Sequence, residues 1–171
     1  GGNEDLKPEE AKNWTLGFVY QPFQSFSAGL DFWWIEIENE VALPTSDYVI
    51  ANEPGNIVRN DDGSIDYIPV RYQNLGTTKT NGVDVSANYR LPTSYGFFTV
   101  GYTGTYVDRY DFQETPDGDY VSRVGHYRAG YGTVFRWKHK LSVNWNKGHW
   151  GAGVINHYCL LYTSDAADEG L

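Results

Sequence analysis

The sequence has no long hydrophobic run, little positive charge and only one cysteine. No stretch approaches the roughly 18 consecutive apolar residues of a transmembrane helix, and residues 1–12 show no basic segment followed by an apolar one, so a helical membrane protein is excluded. Lys and Arg number 13 against 22 Asp and Glu, which gives a formal charge of -9. Because proteins that bind nucleic acid neutralise phosphates with a basic face, nucleic acid is not expected as a partner.

The motifs of common enzyme and metal sites are missing as well. Cys159 is the only cysteine, so residues 1–158 hold no disulfide framework, thiolate zinc site or cysteine nucleophile. The histidines form no helical i,i+4 pair, and no H-E-x-x-H, G-x-S-x-G, P-loop or G-x-G-x-x-G pattern occurs. The acidic residues at 61, 62 and 66 suggest calcium, but residues 60–63 favour a turn, since Asx side chains bond their own backbone and glycine supplies a positive φ. We therefore predict no catalytic residue, no metal site and no cofactor.

Aromatic residues are abundant and recur at alternate positions. Six Trp, fourteen Tyr and eight Phe make up 16% of the chain. Apolar side chains alternate with Thr, Ser, Gly, Asn and Asp, which is typical of strands whose successive side chains face opposite ways. The pattern predicts about six strands, near residues 14–20, 26–37, 83–89, 98–106, 141–145 and 150–155. After Trp34 the apolar residues change from even to odd positions, where a bulge or the end of a buried band is expected. In the last strand, Val154 and Ile155 are both apolar, so the sequence does not show which of them lies on the aromatic face.

The connections between these strands alternate in length. Residues 21–25, 91–96 and 146–149 form short turns, whereas residues 39–72 and 108–129 form long polar loops, the first with a possible short strand at 65–68. Short turns on one side and long loops on the other are typical of a transmembrane barrel. A strand tilted by about 45° needs roughly 9 to 11 residues to cross the bilayer, and residues 26–35 and 97–106 are long enough.

The composition of the two strand faces supports the same fold. The face opposite the aromatic residues carries Thr, Ser, Gly and Asn, where a water-soluble sandwich would carry Lys and Glu. Aromatic residues flank both kinds of connection, as in the girdles at the edges of a barrel's apolar band. We predict an all-β fold, a transmembrane antiparallel β-barrel segment of about six strands in contact with membrane lipid.

The end of the chain departs from this pattern. From Cys159 to Glu169 it resembles the in-frame translation of a common transposase mosaic-end sequencing adapter. We therefore expect residues 1–158 to form the barrel segment and residues 159–171 to be an adapter scar outside the fold. A length of 171 residues fits one domain or a piece of a larger protein, and we expect a piece.

Two motifs resemble a known family. Residues 3–10 (NEDLKPEE), followed by Trp14-Thr15-Leu16-Gly17, resemble the "NP-x-LKPE…LG" stretch of TonB-dependent outer-membrane receptors, with Glu4 where the family often has Pro. Residues 72–76 (YQNLG) and 80–85 (TNGVDV) are similar to the family's "Y-x-N-x-G…T-x-G-[VI]-[DE]" signature at the start of a barrel strand. The resemblance covers about residues 3–158.

The resemblance implies a 22-stranded barrel closed by an N-terminal plug domain, in the outer membrane of a Gram-negative bacterium. Such a receptor imports a scarce nutrient, such as a ferric siderophore, cobalamin or an oligosaccharide, with energy passed through TonB. The plug region through which TonB acts is expected to lie outside this chain. A passive or adhesive outer-membrane barrel and a soluble carbohydrate-binding β-sandwich stay open as alternatives.

The candidate binding residues are those on the two long loops that can form hydrogen bonds or stack on a nutrient ligand. No residue is expected to be catalytic, because transport consists of binding and rearrangement without bond making. The candidates are Tyr48, Arg59, Tyr67, Arg71, Tyr110, Arg123 and Tyr127.

Overall fold

The computed structural model describes residues 3–113, 115, 118–128 and 132–160, and most of them form antiparallel β-strands. The elements, in chain order, are β1 (Glu10–Phe23), β2 (Phe26–Glu38), β3 (Val41–Ala42), α1 (Ser46–Asn52), a 3-10 helix (Pro54–Asn56), β4 (Val58–Arg59), β5 (Ile65–Tyr67), β6 (Gln73–Asn74), β7 (Thr78–Thr93), β8 (Gly96–Gln113), β9 (Tyr120–Ser122), β10 (Tyr127–Arg128), β11 (Gly132–Thr133), β12 (Trp137–Lys147) and β13 (Trp150–Leu160).

Six long strands lie side by side in chain order, as β1-β2-β7-β8-β12-β13, and β9 pairs with β8 at the side of this path. This order is the one that consecutive up and down strands give. The expected all-β class with about six antiparallel strands is confirmed. The short strand predicted at 65–68 is also present, as β5.

The predicted alternation of short and long connections is confirmed, with shifted boundaries. Two-residue turns at 24–25, 94–95 and 148–149 join β1 to β2, β7 to β8 and β12 to β13. Gly148 has a φ of 60°, which an L side chain rarely adopts. The prediction that a loop begins at Asp108 was wrong, because β8 continues to Gln113. A change to polar side chains ends the apolar band of a strand, but the strand itself continues while its backbone is paired. In β8 this pairing includes β9.

The strand register resolves the phase of β13. Val143 of β12 lies opposite Val100 of β8 on one side and Val154 of β13 on the other. Ile155 lies opposite Ser142, so it belongs to the polar face, and Val154 belongs to the aromatic face.

The aromatic face of the sheet is open. Trp34 of β2 and Leu141 of β12, which lie on inner strands of the sheet, are 46% and 38% exposed. Neighbouring rings contact one another along this face, with Phe18 and Phe32 packed edge to face at 6.5 Å between centroids. Among the described residues, the buried apolar ones lie in the loop segments, in short elements and in the second half of β8; they are Ala42, Val49, Leu75, Val107, Phe112 and Val124.

The opposite face of the sheet is polar. On this face, polar side chains of one strand lie over glycines of the next strand. A Cβ added to Gly29 would lie 2.7 Å from the Ser86 hydroxyl oxygen, and one added to Gly101 would lie 2.8 Å from the Ser142 hydroxyl oxygen. The Ser142 hydroxyl also donates to the Gly101 carbonyl oxygen (3.2 Å). These glycines therefore leave the room that the neighbouring polar side chains occupy.

The chain divides into two compact units. Of the described residues, those within 1–12, 36–78 and 112–121 form the loop unit, and those within 13–35, 79–111 and 122–160 form the strand unit. The predicted phase slip at Trp34 falls next to a boundary between them, after Ile35. β13 includes Cys159 and Leu160, whereas residues 161–171 lie outside the described residues, so the adapter assignment stays a prediction.

Candidate functional site

The loop unit contains a polar cavity of about 920 Å³, which we call the loop pocket. This volume lies within the range of about 300–1,000 Å³ that is usual for small-molecule sites. Its lining comes from the N-terminal segment, the end of β2 and the long connection between β2 and β7. The lining residues are Asn3, Asp5, Lys7, Asn39, Glu53, Gly55, Asn56, Val58, Tyr67, Pro69, Arg71, Gln73 and Asn74.

The Asn74 carboxamide joins the chain segments on one side of the loop pocket, which we call its floor: residues 3–7, Asn39 and residues 72–74. Its Nδ2 donates to the carbonyl oxygens of Lys7 (2.9 Å) and Asn39 (2.7 Å), and its Oδ1 accepts from the Lys7 backbone N–H (2.8 Å). Asn3 Nδ2 adds a bond to the Tyr72 carbonyl oxygen (2.8 Å). Three separate chain segments are thus joined at a single side chain.

Buried groups of the loop unit fix the same segments. Glu40 donates its backbone N–H to the Gly76 carbonyl oxygen (3.1 Å) and accepts from the Leu75 N–H (2.9 Å). The Thr78 hydroxyl donates to the Glu40 carboxylate. Leu75 and Thr78 are 4% and 2% exposed, and buried polar groups that are hydrogen-bonded resist opening. The segments next to the floor are therefore fixed by the bonds between Glu40 and residues 75–78.

The lining residues Glu53, Gly55 and Asn56, which we call the wall of the loop pocket, follow directly after α1, a helix that the sequence pattern does not predict. Thr45 is its N-cap, and the Thr45 hydroxyl oxygen accepts from the Tyr48 N–H (3.2 Å). Val49 is the buried residue of α1, at 1% exposure, and its side chain holds the helix against the rest of the loop unit. Glu53 caps the other end by donating its N–H to the Val49 carbonyl oxygen (2.8 Å). A seven-residue helix gives too short a periodic pattern to be recognised in the sequence, although a Thr at the N-cap is a known signal.

The Glu53 side chain links this wall to the floor. Its Oε1 accepts from Gln73 Nε2 (2.8 Å) and its Oε2 accepts from Asn56 Nδ2 (2.7 Å). Both carboxylate oxygens are therefore held in place by amide donors. The arrangement fixes a negative charge within the lining.

The hairpin of β4 and β5 completes the wall, with Val58 opposite Tyr67. The predicted turn at residues 60–63 is confirmed: the Gly63 N–H donates to the Asn60 carbonyl oxygen (2.9 Å), and Gly63 has a φ of 85°. The Ser64 hydroxyl and backbone N–H both donate to Asp62 Oδ1 (2.6 and 2.9 Å). These two bonds, the hydroxyl first, hold the pKa of the Asp62 carboxyl below its ordinary value.

Two of the seven candidate residues, Tyr67 and Arg71, line the loop pocket. Tyr48 and Arg59 belong to the same unit but not to this lining; Arg59 Nη1 instead donates to the Gly63 carbonyl oxygen (2.9 Å) of the hairpin turn.

The other three candidates belong to the strand unit. Arg123 is 7% exposed, and its backbone N–H donates to the Tyr110 carbonyl oxygen (2.8 Å). Tyr127, in β10, is 75% exposed. A ligand-binding role stays a prediction for all seven candidates.

Most of the lining was missed by the sequence analysis. The candidates were chosen as Tyr and Arg side chains on long loops, whereas the lining is dominated by amides and acids, and part of it precedes β1. A usable signal was present, because Lys7 and Asn74 belong to the two motifs that resemble the receptor family.

In the part of the chain that the structure describes, no group of three or more His, Cys, Asp or Glu side chains could hold a metal ion. None of the helices there is both long and apolar enough to cross a membrane.

No curated protein and no solved structure matches the chain. The family model described as "TonB dependent receptor-like, beta-barrel" matches residues 1–170. The chain therefore belongs to the TonB-dependent receptor β-barrel family.

Proposed function

We propose that this chain is a segment of an active transporter that binds a scarce nutrient in the loop pocket and imports it across the outer membrane. The family consists of Gram-negative outer-membrane transporters, not of enzymes. The nutrient would be a ferric siderophore, cobalamin or an oligosaccharide. The observation that carries the proposal is a polar pocket of ligand size on the long connection of a membrane-type β-sheet.

The open aromatic face supports placement in a membrane. Trp34 and Leu141 are large apolar residues of inner strands and are still exposed on this face, and each such side chain gains roughly 1.5–3 kcal/mol when it leaves water. A bilayer would cover this face without a protein partner. Lipid cannot bond backbone groups, and the paired strands leave few of them unsatisfied in the middle of the sheet.

The construction of the loop pocket supports ligand binding. Binding residues are effective when loops are held by a rigid scaffold, and here the floor is fixed by Asn74 and the wall by the two amides that bond the Glu53 carboxylate. Tyr67 is 56% exposed and offers a ring to stack on. TonB would then act through a plug region that contacts the bound nutrient.

The test is an uptake assay in cells that express the receptor carrying this chain, with and without TonB. The probes are a ferric trihydroxamate, cobalamin and maltoheptaose. We expect TonB-dependent uptake of one probe and its loss in Tyr67→Ala. Tyr95→Ala, which removes a 74% exposed ring at a short turn, is the matched control and should keep uptake. Uptake that persists without TonB would favour a passive barrel, and normal uptake by Tyr67→Ala would reject the loop pocket.

A further inference from the structure

Glu53 differs from the other charged residues of the loop pocket. The lining holds two acids, Asp5 and Glu53, and two bases, Lys7 and Arg71. Asp5, Lys7 and Arg71 are exposed, whereas Glu53 is half-buried. Charges in contact with solvent are screened by water and salt, and a partly buried charge is screened much less. The effective charge that a ligand would meet in this pocket is therefore negative, although the formal charges of the lining cancel.

The Glu53 carboxylate is also fixed in position. The backbone N–H donates to the Val49 carbonyl oxygen (2.8 Å), and the carbonyl oxygen accepts from the Asn56 N–H (2.9 Å). The side chain is held by Gln73 and Asn56 at 2.8 and 2.7 Å. A group held by both its main chain and its side chain loses little further freedom when a ligand binds, which favours affinity and selectivity.

The hydrogen-bonding capacity around Glu53 is mainly that of acceptors. An ionised carboxylate has about four lone-pair sites, and the two amides occupy one site on each oxygen. Each amide donates one N–H to the carboxylate and keeps a second N–H and a carbonyl oxygen with two lone pairs, so acceptor positions outnumber donors around Glu53. A ligand that matches this region must bring hydrogen-bond donors, since an anion would meet the carboxylate and the amide oxygens.

We propose that Glu53 is the specificity-determining residue of the loop pocket, and that it selects an uncharged, hydroxyl-rich ligand of the oligosaccharide class and rejects anionic chelates. The inference rests on the proposed function, since it concerns the same pocket. Sugar hydroxyls supply the required donors, and the exposed face of Tyr67 supplies a surface on which a sugar ring can lie. A cobalamin-like ligand would need a larger apolar surface than a lining with Tyr67, Val58 and Pro69 offers.

The experiment measures equilibrium binding to the full receptor in detergent with three probes: maltoheptaose, xylohexaose and an anionic ferric tris-catecholate. We expect at least one oligosaccharide to bind and the tris-catecholate to bind more weakly. In Glu53→Gln, oligosaccharide affinity should fall about tenfold, the difference between a charged and a neutral hydrogen bond. The affinity for the tris-catecholate should rise in the same variant, and a general loss of structure cannot produce these opposite changes.

Two further variants separate charge from structure. Gln73→Ala removes one tether of Glu53 but keeps the charge, so it should weaken oligosaccharide binding without improving tris-catecholate binding. Glu4→Gln removes an acid outside the lining and should change neither. Equal effects of Glu53→Gln and Gln73→Ala on the tris-catecholate would overturn the role of the charge. Binding of the tris-catecholate in preference to both oligosaccharides, or of no oligosaccharide, would overturn the assignment while leaving TonB-dependent uptake, the test of the proposed function, intact.

Discussion

Replacement of Asn74 by alanine tests whether one carboxamide holds the loop pocket together. The change removes two hydrogen bonds that Nδ2 donates, to the carbonyl oxygens of Lys7 and Asn39, and one that Oδ1 accepts from the Lys7 N–H. The alanine variant would keep the backbone pairing of β6 with β3, in which residue 74 lies opposite Val41. The loss is therefore confined to the links between segments.

The size of the effect follows from the exposure of these bonds. A typical hydrogen bond contributes about 0.5–1.5 kcal/mol net. The two bonds to Lys7 are exposed and the bond to Asn39 is partly buried, so about 0.5 kcal/mol for each of the first two and about 1 kcal/mol for the third is reasonable. The free energy of local opening of the N-terminal segment should fall by about 2 kcal/mol, which is roughly a 30-fold change in the opening equilibrium.

Amide hydrogen exchange measures this opening directly. The Lys7 N–H donates to Asn74, so its exchange rate should rise about 30-fold in Asn74→Ala while amides in the middle of β8 stay protected. Asn60→Ala is the control, because it removes a single amide bond to the Ser64 hydroxyl (3.0 Å) in the hairpin turn. If the Lys7 amide exchanges equally fast in the unaltered protein and in Asn74→Ala, the carboxamide does not join the segments.

Three further outcomes test other parts of the structure. Gly76→Ala should lower the yield of folded protein and the thermal midpoint, because the added Cβ would overlap a backbone carbonyl at the end of β8. Ser64→Ala should raise the Asp62 pKa toward its ordinary value near 3.8, because the hydroxyl bond is the first cause of its lowering, and a ¹³C NMR titration measures this change. Because the Asp62 pKa is lower in the folded state, the two bonds from Ser64 stabilise the turn above about pH 4. This stabilisation is lost as the pH falls through the folded-state pKa. A spin label at Leu141 should contact lipid and one at Asn144 should contact water, and the reverse result would refute the assigned faces.

The strands could be predicted from the sequence because their cause is local. Successive side chains of a strand face opposite ways, so a sheet with one apolar face must alternate along the chain. The register then confirmed which residues share a face, as with Val143 between Val100 and Val154. The end of β8 was missed because the charged residue Asp108 interrupts the apolar alternation, although Tyr110 and Phe112 continue it and the strand runs on to Gln113.

The loop pocket could not be predicted in this way, because its cause is not local. Lys7 and Asn74 are separated by 67 positions in the chain, and no periodic pattern connects them. Tyr67 and Arg71 were found because their residue types are common in binding sites, whereas Glu53 was missed because nothing near it in the sequence shows that Gln73 and Asn56 will hold its carboxylate. Residue type alone therefore identified two exposed residues of the lining but not Glu53 or Asn74, which are held by hydrogen bonds.

The two family-like motifs acquire a physical meaning in the folded chain. The segment with Lys7 and the segment with Asn74 lie in contact, and the contact is the reciprocal pair of bonds between the Asn74 carboxamide and the Lys7 backbone. Because the bonds on the Lys7 side involve only main-chain atoms, any residue with a backbone N–H, that is, any residue except proline, can occupy position 7, whereas position 74 requires a side chain that both donates and accepts at this length. Under the proposed function, ligand choice can change at Glu53, whose side chain only accepts hydrogen bonds, while Asn74 keeps the floor joined.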